Sequence, residues 1–220
     1  MKKTLLFVCL LILGSVTVFA QTMAGPQVVH TERSAIRVPS QEVPAALRII
    51  YSNLGKKTDP YNESAGWLID GPDSVAGLSS GLPEFVAMAF TPKSDSTVEQ
   101  VQVAVQYIGS GANQVNFSIY ADSGGAPGTL LEGPVTVTNL PPSGCCTLTV
   151  VSFTPVAVTA GTRYWVTADT PLTGTGSDFE GVWKWDVKNM GEFGNEGFSY
   201  SWFLTPVDGL PAGEVLGTIP

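Results

Sequence analysis

The stretch VEQVQVAVQYI, Val98–Ile108, carries the most regular pattern in the 220-residue chain. Val101, Val103, Val105 and Tyr107 fall on one side of an extended backbone. Gln100, Gln102, Ala104 and Gln106 fall on the other. A period of two over eight residues predicts a β-strand with one apolar face and one wet face. Gly109 to Asn113 then supplies a turn, and Val115, Phe117, Ile119 and Ala121 alternate with Asn116, Ser118 and Tyr120. The two runs are expected to pair as a hairpin of half-buried strands.

Working outward, the same signals recur every 10 to 20 residues or so, with Gly, Pro and Asn/Asp between them. Upstream, RIIYSN at Arg48–Asn53 reads as a strand, a turn-rich polar stretch follows, Trp67 and Ile69 share a face, and FVAMAFT at Phe85–Thr91 is apolar throughout. Downstream, SIYADSGGAPGTLL, Ser118–Leu131, runs from a strand into a Gly/Pro-rich turn that is expected to direct the chain toward the next sheet. Val135 and Val137 alternate after it, and Leu148, Val150 and Phe153 are expected to point inward. Tyr164, Val166 and Ala168 oppose Arg163, Trp165 and Thr167. Later still, Trp183, Trp185 and Val187 share one face and Phe198, Tyr200 and Trp202 another. No stretch after residue 20 sustains a 3.6-residue period. The predicted fold class is all-β: an antiparallel two-sheet sandwich, jelly-roll-like, of nine or ten strands, because a domain of this size must hide its strand edges.

Composition agrees. Charged residues make up 14% of the chain, well below the usual quarter, whereas glycine (24) and proline (16) are abundant. Residues 1–20 read as a signal peptide: Lys2 and Lys3, the apolar run Leu5–Leu13, and the small-residue site Val18-Phe19-Ala20. Residues 21–46, interrupted by Pro26, Pro39 and Pro44, read as a mobile leader, and residues 47–220 as one β-sandwich domain. Secretion to an extracellular or periplasmic space is the expectation. No later run reaches the roughly 20 apolar residues of a membrane span. Without residues 1–20, nine Lys+Arg stand against nineteen Asp+Glu, a net charge of −10. That sign argues against nucleic acid, whose binders present a basic stripe.

Few side chains suit catalysis. The one histidine, His30, lies in the leader, so neither a histidine-based triad nor a zinc site of several His or Cys ligands is expected, and no metal ligands are assigned. Paired carboxylates are the remaining catalytic option, because two facing acids suffice for glycoside hydrolysis. Asp169, Asp178, Glu180 and Asp186 form the nearest grouping, read as a solvated acidic loop with Asp186 in water beside Lys184. No cofactor is expected. Structural calcium is the lesser alternative, since Asp122-Ser123-Gly124-Gly125 lacks alternating acidic ligands and reads as a turn shaped by side-chain to backbone hydrogen bonds. Cys145 and Cys146 are the only cysteines after residue 20. In an oxidising compartment they are candidates for a vicinal disulfide, the alternative being two free thiols. Flat aromatic faces stack on sugar rings, and the candidate ligand-binding residues are Trp67, which follows a polar loop, and Trp165, on the face of Arg163 and Thr167. The other tryptophans read as core.

Four motifs in order extend the reading. IYSNLGKKTDPYNESAGWLIDGP at Ile50–Pro72, SIYADSGGAPGTLL, the turn GCCT at Gly144–Thr147 with AGTRYWV at Ala160–Val166, and AGEVLGT at Ala212–Thr218 together resemble the choice-of-anchor R domain, a bacterial exported β-sandwich module. The likeness covers Ile49 to Thr218. It implies a surface or extracellular module without catalytic residues to carry over. The tail after Trp202 has no apolar helix, no basic cluster and no complete wall-sorting signal, so release rather than anchoring is expected. The resulting expectation is a non-enzymatic module that binds a carbohydrate or other surface polymer, or forms a structural part of the cell surface. A glycan-cleaving hydrolase using paired carboxylates is the alternative.

Overall fold

The computed structural model describes residues 47–75, 81–109, 111–187, 191, 194–198, 201–204 and 209–220. The signal peptide, leader, Cys9, His30 and Tyr200 of the sequence reading, and the side chain of Phe198, lie outside what is described. The elements, in order, are β1 (Arg48–Ser52), β2 (Asn62–Asp70), β3 (Glu84–Phe90), β4 (Ser96–Val103), β5 (Val105–Tyr107), β6 (Gln114–Asp122), β7 (Pro127–Thr138), β8 (Thr149–Val158), β9 (Tyr164–Asp169), β10 (Glu180–Trp185), β11 (Gly194–Phe198), β12 (Ser201–Leu204) and β13 (Gly213–Thr218). The described residues contain no helix.

Two antiparallel sheets pack face to face. The smaller has the order β1-β13-β4-β8; the larger runs β5-β10-β2-β3-β9-β6-β7, with the β11–β12 hairpin joined to β3. The core lies between them. Ile50, Val98, Val101, Val103, Val151, Phe153, Val158 and Val215 come from the small sheet. Trp67, Ile69, Val86, Met88, Phe90, Val115, Phe117, Ile119, Val166 and Trp183 come from the large one, and all belong to one buried cluster. The alternation seen in Val115, Phe117 and Ile119 is therefore core packing, each side chain being wholly buried. The thirteen strands among the described residues exceed the nine or ten expected.

The opening stretch behaves differently from its pattern. At Ala104 the chain leaves the small sheet and enters the large one, so Val98–Ile108 is two strands, β4 and β5, and not one. Its supposed wet face is covered: Gln102 and Gln106 are buried along with Ala104. Nor does it form a hairpin with Val115–Ala121. β5 pairs with β10, whereas β6 pairs with β7 and β9. The Gly/Pro turn after Tyr120 also stays within one sheet, closing the β6–β7 hairpin through Ser123 N–H to Ala126 O at 2.9 Å. Gly125 N–H donates to Asp122 Oδ2 at 3.2 Å, the local turn bond anticipated for this stretch. In β8 the register brings Val151, and not Val150, into the core.

These placements position two polar regions along β10. Glu180, Val182 and Lys184 alternate with Gly181, Trp183 and Trp185 and therefore share one side of the strand. Trp183 on the other side enters the core and donates its indole N–H to Ala212 O at 2.9 Å.

Candidate functional site

Near Lys184, the strand order brings β5, β10 and the start of β2 side by side, and the segment 141–147 runs along β5. Tyr107 N–H donates to Pro141 O at 2.9 Å and Ser143 N–H to Tyr107 O at 3.0 Å. The turn at Gly144–Thr147 is then pinned by two buried side chains. Tyr61 Oη donates to Gly144 O (2.7 Å), and a second contact, to Thr147 O, measures 3.1 Å. Gln106 Nε2 lies 2.6 Å from both Gly144 O and Tyr61 Oη, and its Oε1 accepts from Gly144 N–H at 3.1 Å. This satisfies a side chain whose burial would otherwise cost free energy, and explains why a glutamine occupies the interior here. Burial raises the Tyr61 hydroxyl above its ordinary pKa, against the lowering effect of the Gln106 bond.

Within this turn Cys145 and Cys146 are joined by a disulfide, and both are buried. Cys146 Sγ lies 3.6 Å from Thr58 O. The carboxylate of Glu63, at the start of β2, reaches the same place: one Glu63 oxygen and the two sulfurs lie within 4.8 Å of one another. Lys184 Nζ donates to Glu63 O at 3.0 Å. Burial lowers the Lys184 amine to a pKa of about 8, with the Glu63 charge pulling the other way. Lys184 is completely buried and Asp186 nearly so, which corrects the placement of this pair in water. The reason is topological: β10 is an interior strand with β2 on one side and β5 on the other.

A polar depression of about 300 Å³ opens beside this turn, lined by Asp59, Asn62, Glu63, Ser64 and Val187. Asp59 and Ser64 are exposed and Asn62 and Glu63 half-buried. The wall offers carboxylate and hydroxyl oxygens as acceptors, with an amide and a hydroxyl as donors.

The second polar region sits at the opposite end of β10. Glu180 is the register partner of Asp70 on β2, and Asp70 is in turn the partner of Glu84 on β3. Three acids thus lie in one cross-strand row, each at most 6% exposed. Asp70 Oδ1 has no hydrogen-bond partner. Burial, then the charges of Glu84 and Glu180, push the Asp70 carboxyl up to about 7. Glu180 Oε1 accepts from Ser74 Oγ at 2.7 Å. The loop after β2 is tied down by Gly71 N–H to Phe179 O and Asp73 N–H to Ser177 O, at 2.9 and 2.8 Å. A side chain at Gly71 would collide with the Ser177 carbonyl, so glycine is required for this approach. Of the four acids singled out in the sequence, only Glu180 belongs to the row. Asp178 instead accepts from Ala112 N–H at 2.9 Å, and Asp169, raised to about 6 by burial, faces Asn116 on β6. The picture of a solvated acidic loop fails for Glu180 and Asp186, which are buried.

Neither tryptophan candidate presents an open ring. Trp165 is completely buried among Ala87, Ala89, Tyr120 and Trp202, and its indole N–H donates to Asp122 Oδ1 at 2.8 Å. Trp67 is 5% exposed, packs against Trp185 with ring centroids 5.5 Å apart, and donates its N–H to Gly209 O. The alternation around Trp165 misled because its strand, β9, is interior to the sheet and covered on both faces. Sequence reasoning missed Glu63, Asp70 and Glu84. The available signal was that Asp70 and Glu84 end or begin apolar runs on either side of one loop. No protein-family model matches the chain, and no curated protein matches it.

Proposed function

We propose that the chain is an exported, non-enzymatic β-sandwich module, of the kind its motifs resemble, that binds a carbohydrate or another surface polymer. The observation that supports this most is the polar depression at the start of β2. Asp59, Asn62, Glu63 and Ser64 gather donors and acceptors over a cavity of about 300 Å³, the chemistry that recognises a polyhydroxylated chain. A net charge of −8 for the whole chain, with two carboxylates on this wall, favours neutral or amine-bearing polymers over anionic ones. The tryptophans are not part of the reading. Retention of the chain by a panel of insoluble neutral polysaccharides, with Asn62→Ala and Asp59→Ala reducing it, is the expected result. Uniform absence of retention removes the carbohydrate version and leaves a structural surface part.

The row Glu180–Asp70–Glu84 favours a second reading, a glycan-cleaving hydrolase. An acid raised to about 7 by burial and by neighbouring carboxyl groups is the arrangement that acid–base hydrolysis uses. All three acids are buried, however, and a glycosidic oxygen must reach the acid within hydrogen-bonding distance. The binding reading is therefore the stronger one. Hydrolysis of any glycan that Glu180→Gln abolishes would reverse that order.

A further inference from the structure

We propose that the disulfide turn conceals a binding site for a thiophilic divalent cation of the zinc class, made available by reduction of the Cys145–Cys146 bond. Three potential ligand atoms already converge there, the two sulfurs and a Glu63 oxygen, all within 4.8 Å of one another. Thiolate sulfur is the ligand that soft and borderline cations prefer, and two sulfurs with one carboxylate oxygen leave a fourth position for water.

The turn does not depend on the sulfur–sulfur bond for its shape. Tyr61 and Gln106 hold Gly144 through three contacts between 2.6 and 3.1 Å, and Gln106 Nε2 lies 2.6 Å from Tyr61 Oη. A separate contact joins Tyr61 Oη to Thr147 O. The backbone on either side of the two cysteines is therefore held when the bond opens, and the sulfurs need only move apart to span a cation. Glu63 is anchored independently, since Lys184 Nζ holds its carbonyl. Such supporting contacts orient ligands and raise affinity in protein metal sites. Glu63 also lines the depression with Asp59, Asn62 and Ser64, which places the residue on a wall open to solvent.

The chemistry balances with a dithiol reductant. The reductant gives two electrons and two protons to the Sγ–Sγ bond, which breaks to two thiols, and departs as its own disulfide. The thiol of Cys146 then has Thr58 O as an acceptor at 3.6 Å. A divalent cation displaces both thiol protons to solvent, forming two metal–sulfur bonds and one bond to the Glu63 carboxylate.

The test uses the full chain carrying Cys9→Ser, so that Cys145 and Cys146 are its only thiols, and cadmium ion alone as the probe. After reduction and removal of the dithiol, the expected result is one cadmium per chain with a thiolate-to-cadmium charge-transfer band. The oxidised chain should show none. Cys145→Ser or Cys146→Ser should abolish the stoichiometric site, and Glu63→Gln should weaken it by about tenfold or more. X-ray absorption at the cadmium edge, which needs no variant to fold, should read two sulfur ligands and oxygen in the remaining positions. A reduced chain that binds no cadmium, a first shell without two sulfurs, or an affinity unchanged by Glu63→Gln would overturn the proposal.

Discussion

The two ends of β10 place opposite charges in the same sheet and resolve them in opposite ways. At one end Glu180 faces Asp70, with Glu84 beyond it, and the like charges are relieved by a proton held on Asp70 near neutral pH. At the other end, two alternations along the same side, Lys184 finds a backbone carbonyl and the field of Glu63, and burial lowers its pKa only to about 8. Burial disfavours any charge, but a neighbour decides whether the group must neutralise. The acid row is closed by its own loop, whereas the lysine end adjoins the disulfide turn and the open depression. The binding proposal rests on the second region, where exposed Asp59 and Ser64 and half-buried Asn62 and Glu63 border the depression, whereas the three acids of the row are buried.

The comparison breaks most severely at Lys184. Lys184→Glu sets a second carboxylate beside Glu63 in a buried position, and should cost about 3–5 kcal/mol in denaturant unfolding. Lys184→Met, which keeps the stem but removes the donor to Glu63 O, should cost less, about 1–2 kcal/mol; equal losses in both variants would show that packing alone matters there. At the acid end, Asp70→Asn should stabilise the fold by on the order of 2 kcal/mol at slightly alkaline pH. The sign follows from the raised pKa. The unfolded carboxyl titrates near 3.8 and the folded one near 7. The stability carried by the protonated group is thus complete below about pH 4, declines as pH rises toward 7 and is absent above it. Thermal melts across that window should show the decline in the wild type and a flatter profile in Asp70→Asn, and a wild-type profile that rises instead would refute the assignment.

Smaller effects are expected at the turn. Tyr61→Phe removes the hydroxyl that bridges Gly144, Thr147 and Gln106 and should cost about 1–2 kcal/mol, measurable by the same unfolding curves. Opening the disulfide should cost least, about 1 kcal/mol, because it closes a loop between adjacent residues and restrains little of the unfolded chain. A Tyr61→Phe loss smaller than that of reduction would mean that the sulfur bond, and not the hydrogen bonds, holds the turn.

Much of the architecture was legible because the alternation of Val115, Phe117 and Ile119, or of Tyr164, Val166 and Ala168, reports burial directly. Pairing was not legible. Whether Val105 lies beside Val115 or beside Trp183 depends on contacts across the chain, and nothing local to Val103-Ala104-Val105 marks the passage between sheets. Alternation also implies one wet face, which holds only where that face is uncovered. Gln106 and Trp165 both alternate with core residues and are both buried, one beneath the disulfide turn and the other under Trp202 and Tyr120. The polar regions were least visible. Glu180 meets Asp70 and Glu84 only through strand register, and Glu63 meets the adjacent Cys145 and Cys146 only through turn placement.

The decisive measurement is a single glycan panel assayed for both retention and released reducing ends, using the wild type, Asn62→Ala and Glu180→Gln. The account predicts retention of a neutral polysaccharide that Asn62→Ala weakens and Glu180→Gln leaves intact, with no reducing ends released by any variant. Reducing ends released by the wild type and lost in Glu180→Gln would contradict it and move the function to the acid row.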